Sequence, residues 1–319
     1  MGRSSLPRIE ILPVSALVAR DNLSRPFQLE RTALKGRVVR LGEVVDQVLT
    51  RHDYPEPVSR MLGELFVLAA TLAGALKFDG TFSLQTQSKG PVSLMVADCT
   101  HDGEMRGYAQ FDEARVAGAG PGVPSLLGPG HLACTVDQNP LGQAYQGIVE
   151  LSGETLTDCM QTYFRQSEQL KTGLKVAVER IDGAAEGRWR AGGIMVQQLP
   201  EQALGAIDGE LEEDWRRTMI LLGTATEAEL IDPDLPAERL LLRLFHEEGV
   251  RVFQPFALRF GCRCSRARVE TMLRSFPRDE LEGMKQEEDG RLVVTCQFCN
   301  TPYPFDDHQL DRLYAPVSH

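Results

Sequence analysis

Four cysteines near the end of the chain constrain its fold more than any other feature. Cys262 and Cys264 form a C-x-C pair, and Cys296 and Cys299 form a C-x-x-C pair after 31 intervening residues. Four thiolates make a closed tetrahedral set of the kind that zinc favours, and they leave no open position for a catalytic water. The spacing therefore predicts a small zinc-binding domain and excludes a hydrolytic metal site.

The same four sulfurs allow two functional interpretations. Metal binding in a small zinc domain supplies folding energy on the order of 10 kcal/mol, so loss of the metal should unfold it. Thiolates are also the species that oxidants attack, and their conversion to disulfides would eject the ion. From the residues alone, the site is either an inert structural zinc site or a redox switch.

The remaining cysteines and the apolar segments point to an ordinary cytoplasmic protein. Cys99, Cys134 and Cys159 lie in apolar or helical contexts and are predicted to be small buried hydrophobic residues without a chemical role. We expect no export signal, because polar residues and a proline interrupt residues 9–19. The most apolar window, residues 61–76, includes Glu64 and is about 16 residues long, so a core helix is expected there rather than a membrane span.

Residues 1–200 are predicted to form a mixed α+β core domain, an antiparallel sheet with helices packed on it. The prolines at 55 and 57 precede an apolar stretch that predicts a helix from about Glu56 to Lys77. Alternating residues in 82–87 and 92–97, joined by a turn, predict a hairpin. Further strands are predicted at residues 37–40, 105–111, 131–136, 145–151, 176–178 and 194–196, with a helix at 155–164.

The segment from 201 to 258 differs in charge from the rest of the chain. Residues 201–250 contain 13 acidic residues, four arginines and no lysine, a net charge of −9. Apolar residues still recur at helical spacing, which predicts short amphipathic helices. One interpretation is a solvated acidic helical face, and the other is a conditionally folded linker that docks on a neighbouring domain. The apolar residues are Leu211, Trp215, Met219, Leu222, Leu240, Leu241, Leu244 and Phe245.

Charge and missing motifs argue against several other functions. The chain carries 34 basic and 45 acidic residues, and residues 262–319 have a net charge of −2 without a basic stripe, so nucleic acid is not an expected partner. No P-loop motif is present, and no nucleotide is expected. A thiol–disulfide oxidoreductase would place Cys296 and Cys299 at a helix N-terminus, whereas strand-like residues flank them here. We therefore expect a non-enzyme that has no membrane partner.

Short motifs lie along nearly the whole chain. They are the four terminal cysteines, Phe245-His246-Glu247-Glu248, Tyr54-Pro55-Glu56-Pro57-Val58, Leu76-Lys77-Phe78-Asp79-Gly80, Gly90-Pro91-Val92, Met105-Arg106-Gly107, Tyr145-Gln146-Gly147, Ser167-Glu168-Gln169-Leu170 and Ala191-Gly192-Gly193. Together these motifs resemble the heat-shock protein 33 (Hsp33) family, the redox-regulated 33 kDa chaperones of bacteria. Residues 1 to about 12 look like a loose extension outside this resemblance.

The resemblance implies an ATP-independent holdase that prevents aggregation under oxidative stress, often combined with heat. It implies one zinc ion per reduced chain, held by Cys262, Cys264, Cys296 and Cys299, and three parts: a core (1–200), an acidic helical linker (201–258) and a redox-switch zinc domain (259–319). Oxidation would form the disulfides Cys262–Cys264 and Cys296–Cys299, release zinc, unfold the linker and produce a homodimer. Unfolding client proteins would bind exposed apolar surface, for which no individual residue is predicted.

The order of disulfide formation follows from the two spacings. A disulfide that spans a single intervening residue is strained and therefore more easily reduced. We expect the pair Cys296–Cys299 to close first, before Cys262–Cys264.

Overall fold

The structure is a computed structural model that describes residues 21–138, 143–181, 187–198, 208–286 and 290–314. The chain divides into two compact units, Met1–Phe260 and Gly261–His319. The three-part division predicted above remains a prediction, because this boundary tests neither the start of the linker nor its independence. The first twenty residues lie outside the described part.

The larger unit contains strands and helices in a mixed order, which confirms the α+β class. A π-helical turn, Phe164–Glu168, and a 3-10 turn, His246–Glu248, accompany them. The elements are β1 (Leu23–Leu29), β2 (Leu34–Leu41), α1 (Glu43–Leu49), α2 (Glu56–Ala75), β3 (Gly80–Ser88), β4 (Val92–Thr100), β5 (Glu104–Phe111), α3 (Glu113–Ala117), α4 (Val123–Leu126), β6 (Gly130–Gln138), β7 (Gln143–Glu150), α5 (Leu156–Tyr163), β8 (Thr172–Ile181), β9 (Arg188–Gln198), α6 (Asp208–Gly223), α7 (Glu227–Ile231), α8 (Ala237–Phe245), β10 (Val250–Val252), β11 (Phe256–Ala257) and β12 (Arg259–Phe260).

These strands form two sheets. Sheet A has the order β10-β1-β2-β9-β8, and β11 also pairs with β1. Sheet B has the order β12-β5-β4-β3-β6-β7. The strand pairs are antiparallel except for β12 with β5, which confirms the predicted antiparallel architecture and the hairpin of β3 and β4.

Helix α2 forms the centre of the larger unit. A proline in its first turn suits a helix start, where the missing N–H has no partner to lose. The helix is long and apolar enough to cross a membrane by length and composition, but 78% of its most apolar window is buried inside the protein. Its buried side chains, among them Leu65 and Phe66, join one core cluster with residues of both sheets, such as Val39 and Phe82. The core helix predicted from about Glu56 to Lys77 is therefore confirmed, and it ends two residues earlier than expected.

The acidic segment covers the face of sheet A that points away from α2. We call this the outer face of sheet A. A separate apolar cluster joins strand residues of this face to residues of α6, α7, α8 and the loops between them. The strand residues are Phe27, Leu29, Leu34, Val38, Ala177, Ile194 and Val196, and the covering residues are Leu222, Ala225, Leu230, Ile231, Ala237, Leu240, Leu241, Leu244 and Phe245.

A glycine on β9 lets the covering backbone approach closely. A Cβ atom on Gly192 would lie 2.1 Å from the carbonyl oxygen of Leu230, so no larger residue fits without displacing α7. This contact gives a structural role to one of the motifs noted in the sequence, Ala191-Gly192-Gly193.

The end of the predicted helical linker, residues 250–257, contains two short strands rather than a helix. Strands β10 and β11 pair with β1 and complete one edge of sheet A. Valine and phenylalanine are enriched in this stretch, and they suit a strand that covers an otherwise exposed sheet edge.

The smaller unit is built from short elements around a small core. Between the two cysteine pairs, the structure has two helices with Pro277 between them. The described apolar core comprises Leu273, Leu281, Leu292, Phe305 and Leu310. The elements are α9 (Arg266–Leu273), α10 (Arg278–Glu282), β13 (Leu292–Thr295), β14 (Pro302–Phe305) and α11 (Asp307–Tyr314).

Candidate metal centre

The first cysteine pair lies directly before helix α9. Ser265 is the N-cap of this helix, and its hydroxyl accepts a hydrogen bond from the backbone N–H of Arg268 at 3.3 Å. Cys262 and Cys264 are therefore held by a segment whose end is fixed by a regular helix start. Both cysteines are half-buried.

The second pair occupies the turn of the β13–β14 hairpin. The backbone N–H of Asn300 donates to the carbonyl of Cys296 at 2.8 Å, and the N–H of Cys296 donates to the carbonyl of Thr301 at 3.0 Å. Asn300 adopts a left-handed conformation with φ of 56°, which asparagine tolerates better than most residues. The strand-like flanks predicted for this pair are confirmed. This placement differs from the helix N-terminus expected of a thiol–disulfide oxidoreductase.

The two pairs meet, and their sulfur atoms form one cluster. The four Sγ atoms all lie within 4.8 Å of one another. The Sγ atoms of Cys262 and Cys296 are 3.7 Å apart, and those of Cys264 and Cys299 are 3.3 Å apart. The fold thus brings together the four cysteines that the sequence pattern predicted as one site.

The cluster fits a tetrahedral metal ion. Sulfur atoms at about 2.3 Å from a zinc ion lie about 3.8 Å from each other, close to the separations found here. A set of four sulfurs is also soft, and such sets select zinc or iron–sulfur chemistry over magnesium or calcium. The residues present could therefore hold one tetrahedral ion.

The protein environment shifts the pKa values of Cys262, Cys296 and Cys299 in different directions. Burial raises the pKa of Cys262 to about 12, and it also raises the pKa of Cys296. For Cys299, desolvation is outweighed by hydrogen bonds from the side chain and backbone of Thr301 and from neighbouring thiols, and its pKa falls to about 7. Without a cation, the cluster therefore cannot carry four negative charges at neutral pH.

Two polar side chains beside the cluster were missed at the sequence level. The hydroxyl of Tyr303 donates to Sγ of Cys264 at 3.1 Å, and the hydroxyl of Thr301 lies 3.1 Å from Sγ of Cys299. Such outer groups orient metal ligands and tune their basicity. Their positions two and four residues after Cys299 were the available signal, since a hairpin returns these residues towards its own turn.

The other three cysteines belong to the larger unit. Cys99, Cys134 and Cys159 are buried in the core around α2, as predicted. Burial, with a smaller contribution from Asp102 and Asp98, raises the pKa of Cys99 to about 12. Burial also raises the pKa of Cys159. The thiols of Cys99 and Cys159 are therefore poor nucleophiles at neutral pH.

Comparison with known proteins gives a consistent result. A family model described as Hsp33 protein matches residues 21–306. The chain is 42% identical over 292 residues to a 33 kDa chaperonin of Caulobacter vibrioides, with 90% of this chain and 95% of that protein covered. It is 41% identical over 295 residues to a 33 kDa chaperonin of Azotobacter vinelandii, with 92% and 95% covered.

A solved structure shares the fold. The crystal structure of a 33 kDa chaperonin, a heat shock protein 33 homolog from Thermotoga maritima, matches with a TM-score of 0.72. The match covers 92% of this chain and 97% of that one, at 22% sequence identity.

Proposed function

Because the chain belongs to the Hsp33 family, we propose that it is an ATP-independent holdase that binds unfolding proteins when oxidised. The reduced, zinc-bound form is inactive. The observation that carries the proposal is the apolar outer face of sheet A, which is covered by an acidic segment of the same chain. A surface of this kind can be hidden or presented without ATP, since the switch needs only the covering segment to leave.

In the reduced state, the four thiolates of the smaller unit would hold one zinc ion. Bound zinc would supply the cross-link that the small apolar core of this unit lacks. Cys262 and Cys264 would anchor the start of α9, while Cys296 and Cys299 would anchor the β13–β14 hairpin. Tyr303 and Thr301 would orient sulfurs by hydrogen bonding.

Oxidation acts on the sulfurs of this site. A thiolate attacks peroxide, the O–O bond breaks, and the sulfur becomes a sulfenic acid as hydroxide leaves. A second thiolate then attacks that sulfur, the S–O bond breaks, and a disulfide forms with loss of another hydroxide. Two protons convert the hydroxides to water. Each disulfide removes two thiolate ligands, so the site no longer holds its metal.

The proposed disulfides are Cys262–Cys264 and Cys296–Cys299, with the second closing first. The closest sulfur contacts given above are instead between the pairs, Cys262 with Cys296 and Cys264 with Cys299. Since all four sulfurs are within 4.8 Å of one another, either pairing is within reach of a small loop movement. Mass mapping of disulfides and free zinc during a peroxide titration distinguishes them; early closure of Cys262–Cys264, or a crossed pair, would refute the proposed order.

Unfolding of the zinc unit is coupled, in this proposal, to release of the acidic linker. The linker carries most of the net negative charge of the chain, and its self-repulsion opposes a compact state. Its docking depends on one apolar cluster and on polar contacts to sheet A. The oxidised chain then exposes Phe27, Leu29, Leu34, Val38, Ala177, Ile194 and Val196 to clients, and it associates as a homodimer.

The test compares reduced zinc-loaded protein with peroxide-treated protein in the cytoplasmic pH range, without nucleotide. Light scattering of thermally unfolding citrate synthase should be suppressed by the oxidised form alone. Equal behaviour of the two forms would remove the redox switch. An insulin-reduction assay is the matched control for enzymatic activity: turnover there would favour the oxidoreductase over the holdase.

A further inference from the structure

Three arginines lie among the apolar residues on the outer face of sheet A. Arg25, Arg40 and Arg190 belong to the neighbouring strands β1, β2 and β9. Arg25 and Arg40 are only 3% and 2% exposed. Charged side chains are rarely buried to this extent unless they are paired. The partners of these arginines therefore indicate which chemical groups this face binds.

The partners of the three guanidinium groups come largely from the linker. Arg40 donates to the carbonyl oxygens of Asp232 at 2.9 Å and Leu235 at 3.1 Å. Arg25 pairs with the carboxylate of Glu238 at 3.0 Å. Nε of Arg190 donates to the carbonyl oxygen of Ile231 at 2.7 Å, and another of its nitrogens pairs with Asp21 at 2.5 Å.

The charges are matched only while the linker is docked. The carboxylates of Asp21, Asp232 and Glu238 all stabilise the charged form of Arg40, and two of these three belong to the linker. Even in the docked state, Nε of Arg25 and Nε of Arg40 are buried without a hydrogen-bond partner among the described atoms. When the linker leaves, three guanidinium groups keep one neighbouring carboxylate and lose their carbonyl acceptors.

We propose that the uncovered outer face of sheet A selects client segments in which carboxylate side chains accompany large apolar ones. This inference rests on the proposed holdase function and specifies its substrate class. An apolar segment alone would bury the guanidinium groups without acceptors, which is unfavourable. A segment with carboxylates would restore charge-assisted hydrogen bonds that the linker had made. The linker thus has the same combination of carboxylates and large apolar residues as the proposed client segments.

The test uses two fluorescent peptides and the oxidised full-length protein. One peptide has the sequence of residues 232–248, and the other carries the amide in place of each of its five acidic residues. Fluorescence anisotropy should show about fivefold tighter binding of the acidic peptide at low salt, a preference that fades as salt rises. The reduced protein should bind neither peptide.

Substitutions of arginines on the two faces of sheet A test which face carries the selectivity for the acidic peptide. Arg25→Gln should weaken binding of the acidic peptide several-fold and leave binding of the amide peptide unchanged. Arg190→Gln tests the same effect at a second, less buried position. Arg37→Gln is the matched control, because Arg37 also lies on β2 but packs against Gly74 of α2, on the opposite face of the sheet. A loss in Arg37→Gln equal to that in Arg25→Gln would overturn the assignment to the outer face.

Aggregation assays on the same samples separate the two levels of the proposal. Oxidised protein that suppresses aggregation yet binds both peptides equally would overturn the charge selectivity alone. Oxidised protein that neither suppresses aggregation nor binds either peptide would overturn the holdase function and this inference with it.

Discussion

The two units of the molecule are stabilised in different ways. In the larger unit, α2 is enclosed by side chains from both sheets, and the resulting cluster needs no covalent or metal cross-link. In the described part of the smaller unit, five apolar side chains form the core, which is few for a segment of this length. The comparison predicts that the smaller unit depends on its sulfur cluster for folding, whereas the core around α2 does not.

The larger unit is itself divided by sheet A. Its inner face packs on α2 through apolar side chains, whereas its outer face meets the linker through apolar residues and buried arginines. Buried charges stabilise less than packed hydrophobic groups of similar size. The outer interface is therefore the weaker of the two, and the following predictions test this ranking from the largest expected effect to the smallest.

Loss of one sulfur ligand should have the largest effect. Cys299→Ser leaves three thiolates and is expected to remove metal-dependent folding energy on the order of 10 kcal/mol, so that the smaller unit unfolds. Limited proteolysis with mass spectrometry should then cut within residues 261–319 while α2 stays protected. Cys134→Ser, in the core of the larger unit, is the control and should retain stoichiometric metal. Protection of the smaller unit in the metal-free variant would contradict the comparison.

Truncation of a linker side chain should have an intermediate effect. Leu241 is fully buried against the outer face, and Leu241→Ala is expected to cost about 3 kcal/mol of docking energy. The fluorescence of Trp215, on α6, should shift to the red, while that of Trp189, in the inner core, stays unchanged when each is studied with the other replaced by phenylalanine.

The control for this truncation is its neighbour. Leu242 is 36% exposed on the same helix, so Leu242→Ala should leave both signals unchanged. The reduced Leu241→Ala protein should also suppress aggregation, because its linker is released without oxidation. A red shift of both tryptophans would instead mean that the two faces of sheet A unfold together.

Lowering the pH should have the smallest effect on linker docking, through protonation of Glu229 on α7. Although burial opposes it, hydrogen bonds from the backbone N–H and hydroxyl of Thr226, with the charge of Arg243, hold the pKa of Glu229 below its ordinary value of 4.5. A lowered folded pKa gives stability that is present above that ordinary value and is lost as pH falls through the folded value. Docking should therefore weaken below about pH 4.5.

The measurement is a pH titration of Trp215 fluorescence in the reduced protein. Glu229→Gln should flatten the acid part of the curve. Glu227→Gln is the control, since Glu227 is exposed on the same helix. Identical titrations of the wild type and Glu229→Gln would show that this carboxylate does not contribute to docking.

Local patterns in the sequence predicted much of the fold. Helix α2 was expected at 56–77 and is found at Glu56–Ala75, because its proline start and apolar run are local signals. Strand β1 was missed, since its Arg25 and Pro26 break the alternation that predicts strands. The pairing of β2 with β9 joins residues far apart in the chain, and no local pattern contains that information.

The candidate site and the docking surface show the same contrast between local patterns and contacts of distant residues. Cysteine spacing was enough to select the four sulfurs, because their chemistry is specific to the residue type. Arg40 could not have been selected, because a charged residue on a strand usually faces water, and here it is among the most buried side chains. Its burial depends on the linker, which lies nearly 200 residues later.

Gly192 gives the docking surface a further property. Only glycine lets the backbone of α7 approach β9 this closely. The docked position of the linker therefore depends on the missing side chain of Gly192 as well as on apolar contacts. A methyl group at this position would clash with the carbonyl oxygen of Leu230 and displace α7 from β9. In the proposed switch, one added carbon atom at Gly192 would therefore release the linker without oxidation, with every sulfur intact.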